Sequence, residues 1–298
     1  EALAQSATAL YAAKADGRNR CELYGGRVAQ QSQRRRLVEL RLREALRRHE
    51  LTVNAQPVVR LDSGRIIGFE LLARWTDEEL GRVAPDEFIE IAEATSLIIP
   101  LGEQVLDLAV RAAVQHRIEA RGLSLGINVS PVQLRIPGFA DDLLARLAEH
   151  GVPPGLIVVE VTEQVFVTED DDAEVALARL VGGGVKVAVD DFGAGSASLG
   201  YLRRIPGRSL KLDRALVASV LTDPRSAAIV RSMARLGAET GLEVVAEGIE
   251  DAATAAACMA AGIPYGQGWL FARDVPLTEL DALVVALGGA PLDADVSV

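Results

Sequence analysis

Eight polar residues stand out because each interrupts or ends an apolar run: Glu70, Asn128, Glu160, Asp190, Asp191, Lys211, Glu247 and Gln267. The set holds carboxylates, two amides and one ammonium, and neither cysteine nor histidine. Such a set makes a hard-oxygen site, which suits Mg²⁺ or Mn²⁺ and takes Ca²⁺ as an inhibitory occupant. Asp190 and Asp191 are adjacent, and their mutual repulsion calls for a positive partner. Two such carboxylates can share two metal ions about 3.5–4 Å apart, the arrangement used for in-line displacement at phosphorus. Lys211 among acids stays protonated and can orient a water or steady a developing negative charge. Its bland role is a structural ion pair with Asp213. A Schiff-base role needs a depressed pKa, which neighbouring acids oppose. Taken alone, the stretch Val185 to Gly195 also reads as a helix N-cap followed by a solvated loop aspartate.

These groups can act together only if the elements that carry them end at one place. Leu51 to Leu61 and Arg65 to Trp75 read as a hairpin around the turn Asp62-Ser63-Gly64. From there strands alternate with helices. Strands are expected at Leu123 to Val129, Leu156 to Val161, Val185 to Val189, Arg208 to Leu212, Leu242 to Ala246 and Tyr265 to Trp269. Helices begin near Pro85, Val105, Ala140, Glu169, Asp223, Asp251 and Leu280. The acidic run Glu169 to Asp172 complements a helix N-terminus without needing a function. This alternation predicts an α/β fold with a mostly parallel sheet. About eight strands predict closure into a TIM-like (β/α)8 barrel, and the opening hairpin makes one strand antiparallel. In such a barrel the strand ends converge on one mouth, so the eight residues would meet there.

Upstream, the pattern changes. Residues 1–30 hold one helix and one short strand, too little for a core, and read as the tail of a preceding domain. Residues 31–50 read as a linker helix with Val38, Leu42, Ala45 and Leu46 on one face. Its run Arg34-Arg35-Arg36 reads as a solvated face. The main domain spans 51–288, and 289–298 read as a disordered tail.

Composition narrows the function classes. Hydrophobic residues make up 49% of the 298-residue chain and charged residues 24%, which is globular composition. A net charge of −11 disfavours a nucleic-acid polymer as partner but leaves room for a small anion carried by metal ions. Three histidines, His49, His116 and His150, lie in helical and mostly polar surroundings, which argues against a histidine zinc site. Cys21 and Cys258 lie far apart and argue for a reducing, cytoplasmic setting. No apolar run is long enough to span a membrane, and the first residues lack the pattern of a signal peptide. A full-length protein could still be membrane-tethered.

The motifs together identify a family. Gln56-Pro57-Val58, Glu70-Leu71-Leu72-Ala73-Arg74-Trp75, Asn128-Val129-Ser130, Glu160-Val161-Thr162-Glu163, Asp190-Asp191-Phe192-Gly193, Lys211-Leu212-Asp213, Ala246-Glu247-Gly248-Ile249-Glu250 and Gln267-Gly268 follow in order. Residues 51–288 thereby resemble an EAL domain, the cyclic di-GMP phosphodiesterase family. The resemblance implies metal-dependent hydrolysis of cyclic di-GMP to linear pGpG. It implies Glu70, Asn128, Glu160 and Asp190 on one metal and Asp191 on the second. Glu247 would be general base or metal partner, Lys211 would position the water, and Gln267 would support the site. Arg74 would contact a substrate phosphate, with Gln56, Leu72 and Asp213 in the substrate groove. Glu163 and Glu250 would steady loops. It also implies a homodimer through the barrel. Ala9-Leu10-Tyr11-Ala12-Ala13-Lys14 and Gly17-Arg18-Asn19 resemble the end of a GGDEF domain, so GGDEF or sensor domains are expected upstream.

Two departures bear on rate. The signature triplet reads Glu70-Leu71-Leu72, which keeps the ligand and adds bulk at Leu71. The loop after the aspartates carries Ala194 and Ser196, where the family has Thr and Tyr. That loop couples metal binding to dimerisation in the family, so a weak or inactive cyclic di-GMP receptor is the alternative expectation. A barrel lyase acting on small phosphorylated acids is the remoter one.

Overall fold

A computed structural model describes residues 26–167, 171–193 and 209–288. Most of the expected upstream remnant, the loop carrying Ala194 and Ser196, and the expected disordered tail lie outside the described residues.

Alternation sets the sheet. Along β1 (Thr52–Arg60), Val53, Ala55, Pro57 and Val59 are buried while Asn54, Gln56 and Val58 between them are only partly covered. Successive side chains of a strand face opposite sides, so one set joins the apolar shell and the other faces inward. The remaining strands are β2 (Ile66–Asp77), β3 (Gly81–Val83), β4 (Ser124–Asn128), β5 (Ile157–Thr162), β6 (Lys186–Phe192), β7 (Ser209–Leu212), β8 (Glu243–Ala246), β9 (Tyr265–Gln267) and β10 (Val275–Pro276). Their hydrogen-bonded order runs β1-β9-β8-β7-β6-β5-β4-β2, and β2 pairs back onto β1. The sheet is therefore a closed eight-stranded barrel. β1 is antiparallel to both neighbours, and every other barrel pairing is parallel. The expected TIM-like barrel with one antiparallel strand is what the chain forms. β3 and β10 were not expected; each is two or three residues long and adds antiparallel to β2 and β1. Runs that short carry no periodicity.

The chain divides into two compact units. Among the described residues, one joins Gly26–Leu51 with Trp75–Leu101; the other holds Thr52–Arg74 and the described residues from Gly102 onward. In the first unit the helix begins at Gly26 and ends at Arg48, with Val38, Leu42, Ala45 and Leu46 buried as their spacing predicts. Its arginine face is not simply solvated. Arg34 makes two hydrogen bonds to Glu87, at 2.6 and 2.8 Å, and Arg35 pairs with Glu90 at 2.7 Å. Both acids lie on the helix Pro85–Ala94, which also sets Phe88 edge-on against Trp75, ring centroids 5.9 Å apart. Arg41 reaches the buried Asp77, whose other oxygen accepts from the Glu79 and Leu80 amides. Half-exposed pairs such as Arg34–Glu87 contribute little each, about 0–1 kcal/mol, so apolar burial carries this unit.

In the second unit, Gly268 packs against the Ile249 backbone. Ile249 donates to the Gln267 carbonyl at 3.0 Å, and a Cβ at Gly268 would lie 2.2 Å from the Ile249 carbonyl oxygen. The φ of Gly268 is +155°, so backbone strain adds to the collision. No helix among the described residues is long and apolar enough to cross a membrane. Gly268→Ala is expected to lower unfolding free energy by roughly 2 kcal/mol or more in urea titrations. Gly64→Ala, whose Cβ would meet nothing within 4 Å despite φ +68°, should lose only about 1 kcal/mol. Equal losses would refute the packing argument.

Candidate active site at the carboxyl ends of the barrel strands

Adjacent residues on a regular strand point to opposite faces, so Asp190 and Asp191 cannot both serve one site unless the strand is broken. The break is present. The pairing of β6 with β7 slips between Val189 and Phe192, and Asp191 has φ +55°, outside the extended range. The strand does not stop at the aspartates, as the apolar run alone suggests, but carries them within a bulge and ends at Phe192. The Asp191 amide donates to Asp190 Oδ1 at 3.0 Å.

Lys211 is the centre of the cluster. Its Nζ lies 3.0 Å from Glu70 Oε2, 2.6 Å from Glu160 Oε2, 3.2 Å from Asp190 Oδ1 and 2.7 Å from Glu247 Oε1. The lysine side chain is only 4% exposed. The ion pair with Asp213 is not made. Asp213 instead caps the helix Arg214–Ala218, accepting from the Ala215 and Leu216 amides.

Amides complete the belt. Gln267 Nε2 donates to Glu70 Oε2 at 2.8 Å and to Gln56 Oε1 at 3.0 Å. Gln267 Oε1 is buried with no hydrogen-bond partner among the described residues. Asn128 Nδ2 donates to Glu70 Oε1 at 2.8 Å. Two groups of carboxylates come within 4.8 Å of one another: Glu70, Glu160 and Asp190, and then Asp190, Asp191 and Glu247. Asp190 belongs to both. Lys211 takes up one oxygen each of Glu160, Asp190 and Glu247, and the second oxygen of each is not bound to it. Hard oxygens alone, with one carboxylate shared, fit a pair of divalent ions.

Charge balance explains the protonation. Four carboxylates face one ammonium, a formal excess of three negative charges in a buried cluster. Burial lowers the pKa of Lys211, but its four acidic neighbours outweigh this and hold it well above the usual lysine value. Burial also opposes ionisation of Glu70, yet Lys211, Gln267 and Asn128 hold its pKa below the usual carboxylate value. Glu160 is raised well above that value by burial and by the charge of Glu70. Burial pushes Glu247 up to about 8. Asp191 is raised by burial and by Asp190.

The other expected residues are more scattered. Arg74 is engaged by Asp274, with Nε at 3.0 Å and Nη2 at 2.8 Å from one carboxylate oxygen that also accepts from Asn54. Sequence reasoning missed Asp274: it lies in a loop, without strand periodicity, and contacts Arg74 across 200 positions. Leu72 is half-buried on β2, Glu163 is buried, and Glu250 is exposed. Gly126 was also missed. A Cβ there would lie 2.1 Å from Glu160 Oε1, while the nearest backbone atom, Glu70 Cα, is 3.6 Å away. The glycine makes room for the Glu160 carboxylate. Gly126→Ala is therefore expected to keep its far-UV circular dichroism yet weaken Ca²⁺ binding about ten-fold or more in calorimetry. Unchanged affinity would show that Glu160 has room elsewhere.

Similarity to known proteins agrees with this geometry. The family description "EAL domain" matches residues 39–274. The bifunctional diguanylate cyclase/cyclic di-GMP phosphodiesterase MucR of Pseudomonas aeruginosa is 34% identical over 288 residues, 95% of this chain and 42% of the relative. The cyclic di-GMP phosphodiesterase RocR of the same species is 35% identical over 223 residues, 74% of this chain and 56% of the relative. The chain thus spans about half or less of the length of these relatives. Among solved structures, the MucR phosphodiesterase in complex with cyclic di-GMP superposes with a TM-score of 0.77 at 35% identity, covering 82% of this chain and 99% of that one. The EAL enzyme Bd1971, bound to cAMP and cyclic di-GMP, gives 0.80 at 31%, covering 85% and 70%. With the family match, the closed barrel and the acidic cluster in agreement, the chain belongs to the EAL-domain family, a metal-dependent family, and its acidic groups could hold metal.

Proposed function

We propose that this chain hydrolyses cyclic di-GMP to linear pGpG with Mg²⁺ or Mn²⁺, Ca²⁺ being inhibitory. The observation that supports it most is the sharing of Asp190 between two carboxylate groups around Lys211. In this reading Glu70, Asn128, Glu160 and Asp190 hold one ion, and Asp190, Asp191 and Glu247 hold the second. Bound there, the ions would supply positive charge to the phosphate and acidify the attacking water. Asn128 would turn its amide oxygen inward, reversing the contact its Nδ2 now makes with Glu70. Glu247 takes the proton of the water. Lys211 holds the carboxylates together and positions the attacking water. Gln267 fixes Glu70 and Gln56. Arg74 meets a substrate phosphate by sharing or leaving Asp274. Gln56, Leu72 and Asp213 line the dinucleotide groove, and Glu163 and Glu250 steady loops. A homodimer through the barrel and upstream GGDEF or sensor domains belong to the same proposal, as does a cytoplasmic setting.

The deciding experiment incubates the protein with cyclic di-GMP and Mg²⁺ or Mn²⁺ and separates the products. Binding without pGpG would replace the enzyme reading by a receptor; neither binding nor cleavage would remove both. Asp190→Asn keeps the shape but removes the shared charge. It is expected to cut kcat by on the order of 10³-fold with the melting temperature little changed. Near-normal turnover would overturn the assignment of Asp190.

Cation binding should also release protons. Glu247, pushed up to about 8, retains a proton at pH 7 in the cation-free cluster, and the raised pKa of Glu160 acts in the same direction. A divalent ion displaces them, so its affinity rises with pH towards about 8 and falls as the pH drops. Calorimetry in buffers of different ionisation enthalpy should show a buffer-dependent heat at pH 7. A buffer-independent heat would contradict the protonation described.

A further inference from the structure

Beneath the acidic cluster the barrel interior is not filled. Stepping back two residues along the strands from the site residues keeps to the same face and gives Gly68, Gly126, Val158, Ala188, Ser209 and Val245. All six line a cavity of about 570 Å³, which Glu160 and Lys211 also line. Another step back reaches Lys186 and Glu243, which line the same cavity and are exposed. The cavity therefore runs from the amino-terminal end of the strands, the face opposite the proposed substrate mouth, to the underside of the Lys211–Glu160 pair. A barrel of this class ordinarily packs this volume with large branched side chains. Here two glycines, an alanine and a serine stand in that layer beside the two valines Val158 and Val245.

We propose that this space is a water-filled passage, a second entrance through which water reaches Lys211 and Glu160 from below while nucleotide covers the upper mouth. Apolar cavities stay dry, but polar and roomy ones hold ordered water. Ser209, Ser124, Tyr265, Lys186 and Glu243 supply donors and acceptors along its length. The entrance carries one cation and one anion, Lys186 and Glu243, so it selects neither sign of charged ligand, and water is the occupant that fits. The space is also large for a void: about 570 Å³ corresponds to on the order of ten to twenty waters at about 30 Å³ each. An empty cavity of that size would weigh heavily against stability, whereas a hydrated one restores contacts to the polar groups set in its walls. Only what covers the upper mouth rests on the phosphodiesterase reading.

Thiol labelling tests the passage. Ser209→Cys is made in the full chain and treated with 2-aminoethyl methanethiosulfonate, with and without cyclic di-GMP and Ca²⁺. Peptide mass spectrometry locates the label and compares it with the buried Cys258 as internal reference. Residue 209 should label about ten-fold or more faster than Cys258, at a rate little changed by nucleotide, and Ala188→Leu should slow it. Labelling no faster than Cys258, or protection by nucleotide, overturns the proposal. Val245→Cys repeats the measurement at a second lining position should the first variant fold poorly. If the nucleotide does not bind at all, the rate in its absence still decides whether the passage exists, and only the phosphodiesterase reading fails.

Discussion

The site depends on one ammonium held among four carboxylates. At separations near 3 Å and an effective dielectric of about 20, each ionised carboxylate attracts Lys211 with on the order of 5 kcal/mol. Burying each ion costs several kcal/mol, so a lone pair in this position would gain little. Four acids around one lysine change the balance: the lysine is firmly cationic, and the acids are left with charge that it cannot neutralise. That remainder is what makes the cluster a place for divalent cations. The same excess, with burial, raises the pKa values of Glu160 and Glu247 above the usual carboxylate value.

Such a cluster imposes demands on its scaffold. The acids come from β2, β5 and β6 and from the residue after β8, and the lysine from β7, so only a closed sheet brings them within 3.2 Å of one nitrogen. Carboxylates inside a barrel also need space. Gly126 leaves it for Glu160, and the small residues below leave the hollow that the barrel would otherwise pack. The register slip at Asp190 and Asp191 meets a third demand, turning two neighbours on one strand towards a common centre.

Much of this was legible in the residues. Apolar periodicity located all eight barrel strands, because a buried strand needs its pattern regardless of its partners. The polar residues at their ends were equally visible, because a charge in an apolar run has to be paid for by neighbours. Contacts between distant segments were not legible. Asp274 holds Arg74 from a loop, β3 and β10 are too short to show a period, and the arginines of the first helix read as solvated until Glu87 and Glu90 stood opposite them. Gly126 looked like any glycine in a strand, since the collision it avoids belongs to Glu160 on the neighbouring strand.

By itself, then, the sequence determined the chemistry: hard oxygens, one lysine, no thiol or imidazole, and a barrel to gather them. Those follow from residue type and local spacing, which act over a few positions. The tertiary structure alone decided which carboxylates share Lys211, that Asp213 caps a helix instead, that Asp190 joins two acidic groups, and that the interior beneath them is open. These depend on strand register and barrel closure, where a slip of one residue reverses every side chain and no local pattern records the outcome.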